Sequence, residues 1–466
     1  MSPLVSRDAP AFQSPPDGRG RRQGGLARRR LHPPFAALAA FVLVWVAPSA
    51  SADDAVLPFA EGEIVGEPQT ELLRPWLPDR FWEHRRHYFF PDMRMKIGPT
   101  QRDYSPPEIY QAATRSNRGR ASLGVDGSLV GYVAGQPFPI DEIDCAADPD
   151  AGTKLIWDFV HRWQGFGAAA HFRYVYVDRG EILPLRYEGT TSAWILKHRP
   201  EPQYAETDGD VFKNENRLMV VGFEVEAPPQ SAGTRTLTYR YADSFGPRAQ
   251  ARPEDTWIYS RRVRRVRKIS ESQRSSAVAG TDFTFDDLFT FSGLPVQYNW
   301  TCLGEKQLIA PMNTVVLGYP YEAVVDYGPT HLSYASDRWE LRRAIGLLME
   351  PKDPDHPYSK KEIWLDRQTL QPLYSFAYDR TGALWKIIHH DHRWSEDDLG
   401  EVEARTWYPG WEGVPQPRDL RIVSDSILNV QSGTGNRLDF WDSHGNPPPL
   451  TELRRYIDID RLRRGR

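Results

Sequence analysis

The densest group of metal-type side chains in this 466-residue chain is His389-His390-Asp391-His392. On a strand, successive side chains alternate between faces, so His390 and His392 would point one way and His389 and Asp391 the other. Two imidazoles two residues apart can chelate zinc or copper, but a site needs further ligands from elsewhere in the fold. Otherwise the group is a polar strand end ahead of RWSEDD. Asp282, Asp286 and Asp287, in TDFTFDDLF, offer paired carboxylates of the kind that do acid–base work and, equally, of the kind that cap turns. No G-x-S-x-G elbow surrounds a serine, and neither phosphate-binding glycine pattern occurs. These residues therefore name no catalytic group, no metal and no cofactor, and the expectation is a protein that is not an enzyme. The weaker alternative is an envelope hydrolase or metal enzyme built on His389–His392.

A different chemistry is suggested by WIYSRRVRRVRKIS, residues 257–270, where five arginines and a lysine follow two aromatics. With a tight turn at Ser260 and Arg261 and a strand resuming at Arg262, Arg262, Arg264, Val266 and Lys268 share one face. Val263, Arg265, Arg267 and Ile269 share the other. One set can sit in water. The other must pair with carboxylates, Asp286 and Asp287 being near in sequence, or meet an anionic group, because an unpaired buried cation is costly. Arg262, Arg264, Arg265 and Arg267 are the candidates for contact with an anionic head group.

Nucleic acid is excluded as the partner by charge. The chain carries a net charge of −4. Its N-terminus reads as a cleavable export signal: a cluster of arginines up to Arg30, the apolar run FAALAAFVLVWVAP, and small residues ending at Ala52. Cleavage after Ala52 would remove seven arginines and two aspartates and take the net charge to −9. A periplasmic location follows, where Cys145 and Cys302 could pair or stay as two buried thiols.

The elements that must position these residues are mostly strands. Residues 53–100 mix apolar side chains with prolines and read as an irregular arm. SPPEIYQAATRSNRGRAS opens like a helix with Ser105 as N-cap, and DPDAGTKLIWDFVHRWQGFG is a second helix that Gly165 stops. From residue 168 the hydrophobic period changes to two, with hairpins in HFRYVYVDRGEILPLRYEG, in NRLMVVGFEVEAPPQSAGTRTLTYRYAD and in the 360–394 region. Few helices separate these strands, so one large antiparallel sheet is expected in a single domain over 101–466, with its helices at about 101–165.

Six collinear stretches resemble a family of exported proteins known as DUF1329. WIYSRRVRRVRK is similar to that family's W-x-Y-x-P-G-x-R-R-V-R-R, although Ser-Arg stands where the family has Pro-Gly. The others are GQPFPI (135–140), the Asp148–Gly165 helix, DDLFTFSGLPVQYNWTCLGEKQLIAP (286–311), RWELRR (338–343) and EIWLDRQTLQPLYSFAYDRTGALWK (362–386), with a matching C-terminal LRRYIDIDRLRRGR. APMNT replaces the family's usual Tyr-Asn. The resemblance implies an α+β fold similar to the lipoprotein-sorting carriers LolA and LolB: a large curved antiparallel half-barrel that clasps a few helices over a hydrophobic cavity. It implies a carrier of a lipid or other hydrophobic molecule at the envelope, working beside an RND-type transporter or an outer-membrane barrel protein. The alternative is an adaptor that docks such a partner and carries nothing. On the carrier reading, Tyr174, Tyr176, Trp257, Tyr259 and Trp364 are the candidates for the ligand-lining face.

Overall fold

Period-two alternation, broken by short polar turns, produces the strands. The computed structural model describes residues 56–178, 181–213, 215–245, 252–269, 277–314, 327–397 and 417–464. The expected export signal and the cleavage expected after Ala52 lie outside the described residues. The first strands are β1 (Ile64–Val65), β2 (Met95–Ile97) and the small pair β3 (Ser122–Leu123) and β4 (Leu129–Val130). A meander follows: β5 (Gly167–Asp178), β6 (Glu181–Ile195), β7 (Arg217–Ala227), β8 (Arg235–Tyr241), β9 (Asp255–Ser260) and β10 (Arg265–Ile269). The second meander is β11 (Tyr298–Pro311), β12 (Arg338–Pro351), β13 (Tyr358–Asp366), β14 (Pro372–Asp379), β15 (Leu384–Trp394), β16 (Leu420–Asn429) and β17 (Thr434–His444). The α-helices are few and short: α1 (Asp79–Glu83), α2 (Glu108–Asn117), α3 (Ala151–Val160), α4 (Leu450–Tyr456) and α5 (Ile459–Arg464).

The last strand of the second meander closes on the first strand of the other. β17 pairs antiparallel with β5, Leu438 opposite Tyr174, and among the described residues this makes one sheet of 15 strands. Its order runs β11-β12-β13-β14-β15-β16-β17-β5-β6-β7-β8-β9-β10, while β2 adds in parallel beside the start of β12, with β1 outside it. The expected α+β class with one large, mainly antiparallel sheet is what the chain forms.

Three local expectations change. The α2 helix starts at Glu108 with Pro107 at its N-cap, not with Ser105. Residues ahead of a proline avoid helical geometry, and the Ser105 amide instead donates to Asp103 at 2.9 Å. The α3 helix ends at Val160, five residues before Gly165, where Arg162 Nη1 donates to the Phe159 carbonyl at 2.8 Å. The β9–β10 connection is a four-residue loop, Arg261–Arg264, so the strand resumes at Arg265 rather than Arg262. That register sets Val266 opposite Tyr259 against the core; a one-residue slip would turn it to solvent.

Two covers protect one face of the sheet. Residues 56–97, the expected arm, bring Trp76, Phe81, Trp82, Tyr88 and Phe89 onto Trp339, Tyr374 and Ile387. Helices α4 and α5 seat Leu453, Ile457 and Leu462 against Trp194, Val220 and Tyr239. The other face meets α3 and the 277–297 segment. Cys145 and Cys302 form a disulfide, Cα–Cα 5.3 Å, that ties the chain ahead of α3 to β11. No helix among the described residues is long and apolar enough to cross a membrane.

Candidate functional site

On β5, β6 and β7, the side chains opposite the C-terminal helices are small where the strands meet. Ala168 pairs with Ala193, which pairs with Val221; the next row is Ala170, Thr191 and Phe223. Small residues in facing rows leave a hollow that their larger neighbours Trp194 and Val220 cannot fill, because alternation turns those to the other face. The hollow is a cavity of about 250 Å³. Phe440 and Leu420 on the neighbouring strands β17 and β16 continue the lining, and the facing wall comes from Phe159 at the end of α3 and from Phe289 and Phe291 in the 288–293 loop. The volume exceeds the roughly 150 Å³ that accommodates benzene and falls just below the roughly 300 Å³ where drug-sized sites begin. It suits one short chain or ring system rather than several acyl chains.

Polar groups stand at defined points of this lining. Tyr132 lies between His161 and His198, its ring tilted against each with centroids at 4.1 and 4.7 Å, and burial pushes the His198 imidazole down to about 4, so it is neutral. Arg199 pairs with Glu201 at 2.9 Å, Arg240 pairs with Glu254, and Arg421 pairs with Asp419 at 2.6 Å. Arg162 is buried and lies over the Phe159 ring at 4.1 Å.

None of the five aromatics expected to line a ligand site reaches this cavity. Tyr174 is buried two same-face pairs beyond Ala170 along β5, where its hydroxyl accepts from Asn436 at 2.8 Å, and Tyr176 is half-buried. Trp257 and Tyr259 pack with the core under the C-terminal helices. Trp364 lies in the core beneath the arm, with Lys306 over its ring at 3.6 Å. The arginines are equally remote: Arg262, Arg264, Arg265 and Arg267 are all exposed on the edge hairpin. Asp287 does not answer them. Asp287 bonds Lys361 at 2.6 Å and Lys386 at 3.0 Å.

The histidine cluster is divided as alternation requires. His389 enters the aromatic core, stacked on Tyr374 at 5.0 Å. His390 and His392 share the opposite face with ring centroids 6.4 Å apart. His390 Nδ1 bonds Asp425 at 2.7 Å and its Nε2 bonds the Thr290 hydroxyl at 2.5 Å, so both nitrogens are engaged within the protein. Among the described residues no three of His, Cys, Asp or Glu converge as a metal would need. Thr290, His390 and Asp425 do form the hydrogen-bond order of a nucleophile–base–acid set. All three are buried, and Thr290 is not part of the cavity lining; its neighbours Phe289 and Phe291 are. The chain of bonds pins the loop to the sheet.

The cavity escaped sequence reading because small residues carry no motif. One signal was available: Ala168-Ala169-Ala170 is a poor strand sequence, and three alanines in a β-run mark a place where something else supplies the packing.

The model of the family described as "Protein of unknown function (DUF1329)" matches residues 85–415. An uncharacterized protein of Pseudomonas aeruginosa is 25% identical over 335 residues, spanning 68% of this chain and 67% of its own. Among solved structures, a DUF1329 family protein from Desulfovibrio piger is 15% identical with a TM-score of 0.44, covering 68% of this chain and 100% of that one. A LolA superfamily protein from Nitrosomonas europaea is 12% identical with a TM-score of 0.34, covering 62% and 90%.

Proposed function

This chain belongs to the DUF1329 family, and from that premise we propose that it is a periplasmic carrier. It holds one hydrophobic small molecule, a lipid or an acyl-bearing compound, in the cavity against β5–β7, for transfer at the cell envelope. The observation that carries this reading is the hollow itself. Cores are ordinarily filled to the density of organic crystals, yet here the small side chains of Ala168, Ala170, Thr191 and Ala193 on β5 and β6 leave about 250 Å³ between the sheet and its cover. The 288–293 loop contributes Phe289 and Phe291 to the wall facing the sheet. An RND-type transporter or an outer-membrane barrel protein is the proposed delivery partner. Binding without chemistry is part of the proposal, supported by the Thr290 hydroxyl standing outside the lining.

The test is binding of a neutral apolar fluorophore, N-phenyl-1-naphthylamine, to the full chain and to Ala193→Phe. Ala193 faces the hollow between Ala168 and Val221, so a phenyl ring there occupies the space. The expected outcome is saturable binding to the native protein, weakened at least tenfold by the substitution, with circular dichroism unchanged. Equal binding by both proteins would place the probe elsewhere. No binding at all, together with a clean mass of the protein purified from a periplasm, would end the carrier reading in favour of the adaptor.

A further inference from the structure

Five cationic side chains touch the cavity, and they are not equivalent. Arg199, Arg240 and Arg421 each pair with a carboxylate, Glu201, Glu254 and Asp419. Lys197 is half-buried and donates to the Asn216 side chain at 2.9 Å. Arg162 is only 6% exposed, and among the described residues no carboxylate lies within ion-pairing distance of it. Its Nε donates to Gln371 at 3.3 Å and its Nη1 to the Phe159 carbonyl at 2.8 Å, both neutral acceptors. The nearest influential carboxylate, Asp425, is already bonded to His390 at 2.7 Å.

A buried charge without a counter-charge is expensive, and proteins normally pair it. Burial pushes the Arg162 guanidinium down to about 9, which still leaves it charged at neutral pH. Its fork therefore has an unmet demand for one negative charge at the wall of an apolar hollow.

Resting on the carrier reading above, we infer that Arg162 is the head-group site of this cavity and that the ligand is a single-chain amphiphile ending in a carboxylate. Guanidinium and carboxylate match as planar forks. One uncompensated buried cation calls for a monoanion, and the volume calls for one short chain. The carboxylate sits against Arg162 and the chain runs over Ala168, Ala193 and Val221.

The test compares decanoate, decanol and decyl phosphate by isothermal titration at pH 7.5 on the full chain, on Arg162→Gln and on Arg162→Lys. The native protein is expected to bind decanoate at least tenfold more tightly than decanol, because a charge-assisted bond replaces a desolvated cation. Arg162→Gln should bring acid and alcohol within threefold of each other. Arg162→Lys should keep part of the preference, since it retains the charge and loses the fork. Equal affinity for acid and alcohol in the native protein would overturn the head-group assignment while leaving the cavity a binding site. A preference for decanoate that survives Arg162→Gln would do the same, and tighter binding of decyl phosphate than decanoate would overturn the single-charge argument. If no probe binds, the carrier reading fails first and Arg162 falls with it. Should Arg162→Gln not fold, the acid–alcohol ratio in the native protein decides.

Discussion

Asp287 sits in a notch made by three cross-strand neighbours. Lys361 on β13 and Lys386 on β15 stand on either side of Ala377 in the same row, so the methyl between them leaves room for a carboxylate. Asp287 reaches both ammonium groups and also accepts from Tyr358 at 2.6 Å. Burial alone would raise its pKa, but the two lysines outweigh that and hold it well below the usual carboxylate range. Asp287→Ala would leave two buried lysines uncompensated. The expected cost is about 3–5 kcal/mol, read from urea unfolding, because breaking a buried ion pair is far worse than never having made one. A loss under about 1 kcal/mol would show that the lysines find other partners. The sequence places Asp286 and Asp287 close to the arginines of 261–267, which made that pairing the natural expectation. The winning partners lie about 75 and 100 positions away, and only strand register brings them together.

At the scale of elements, hairpins were legible and the connections between sheet regions were not. Turn residues and alternation mark β5–β6, β7–β8 and β13–β14–β15 because each hairpin is a local structure whose register follows from its turn. Cys145 and Cys302 illustrate the opposite case. They are 157 positions apart and could pair or not until β11 is laid beside the segment that precedes α3. Closing so long a loop removes entropy from the unfolded chain, so Cys145→Ser with Cys302→Ser should lower stability by about 2–4 kcal/mol, visible as a fall in Tm. An unchanged Tm would mean the two segments are held by packing alone. The arm over residues 56–97 belongs here too. Its prolines read as irregular, while its aromatics give the sheet one of its covers.

For the whole molecule, two completely buried histidines, His389 and His392, work against the native state in acid. Burial drives the His392 imidazole down to about 3, with Arg162 and His390 nearby adding to the shift, and drives His389 well below its usual range inside its aromatic box. A histidine whose folded pKa lies below the unfolded value of about 6.5 stabilises fully above that value. Below it, the unfolded chain takes up protons that the native state refuses. Stability should therefore fall as pH drops from about 6.5 toward 4, by about 1.4 kcal/mol per pH unit for each such histidine. Urea midpoints at pH 7.5 and 5.0 measure this, and equal midpoints would contradict it.

The amino-acid sequence by itself determined the strand-rich class, most of the hairpins, the negative charge balance and the resemblance to DUF1329. Those follow from periodicity, turn chemistry and composition, all of which act between near neighbours. Only the tertiary structure decided that β17 closes on β5, that alanines from adjacent strands fall into facing rows, and that Arg162 rather than the arginines of 262–267 is the cation left buried without a carboxylate. A cavity and an unpaired charge are both defined by what is missing nearby in space, and distance in space between residues far apart in the chain is set by the fold.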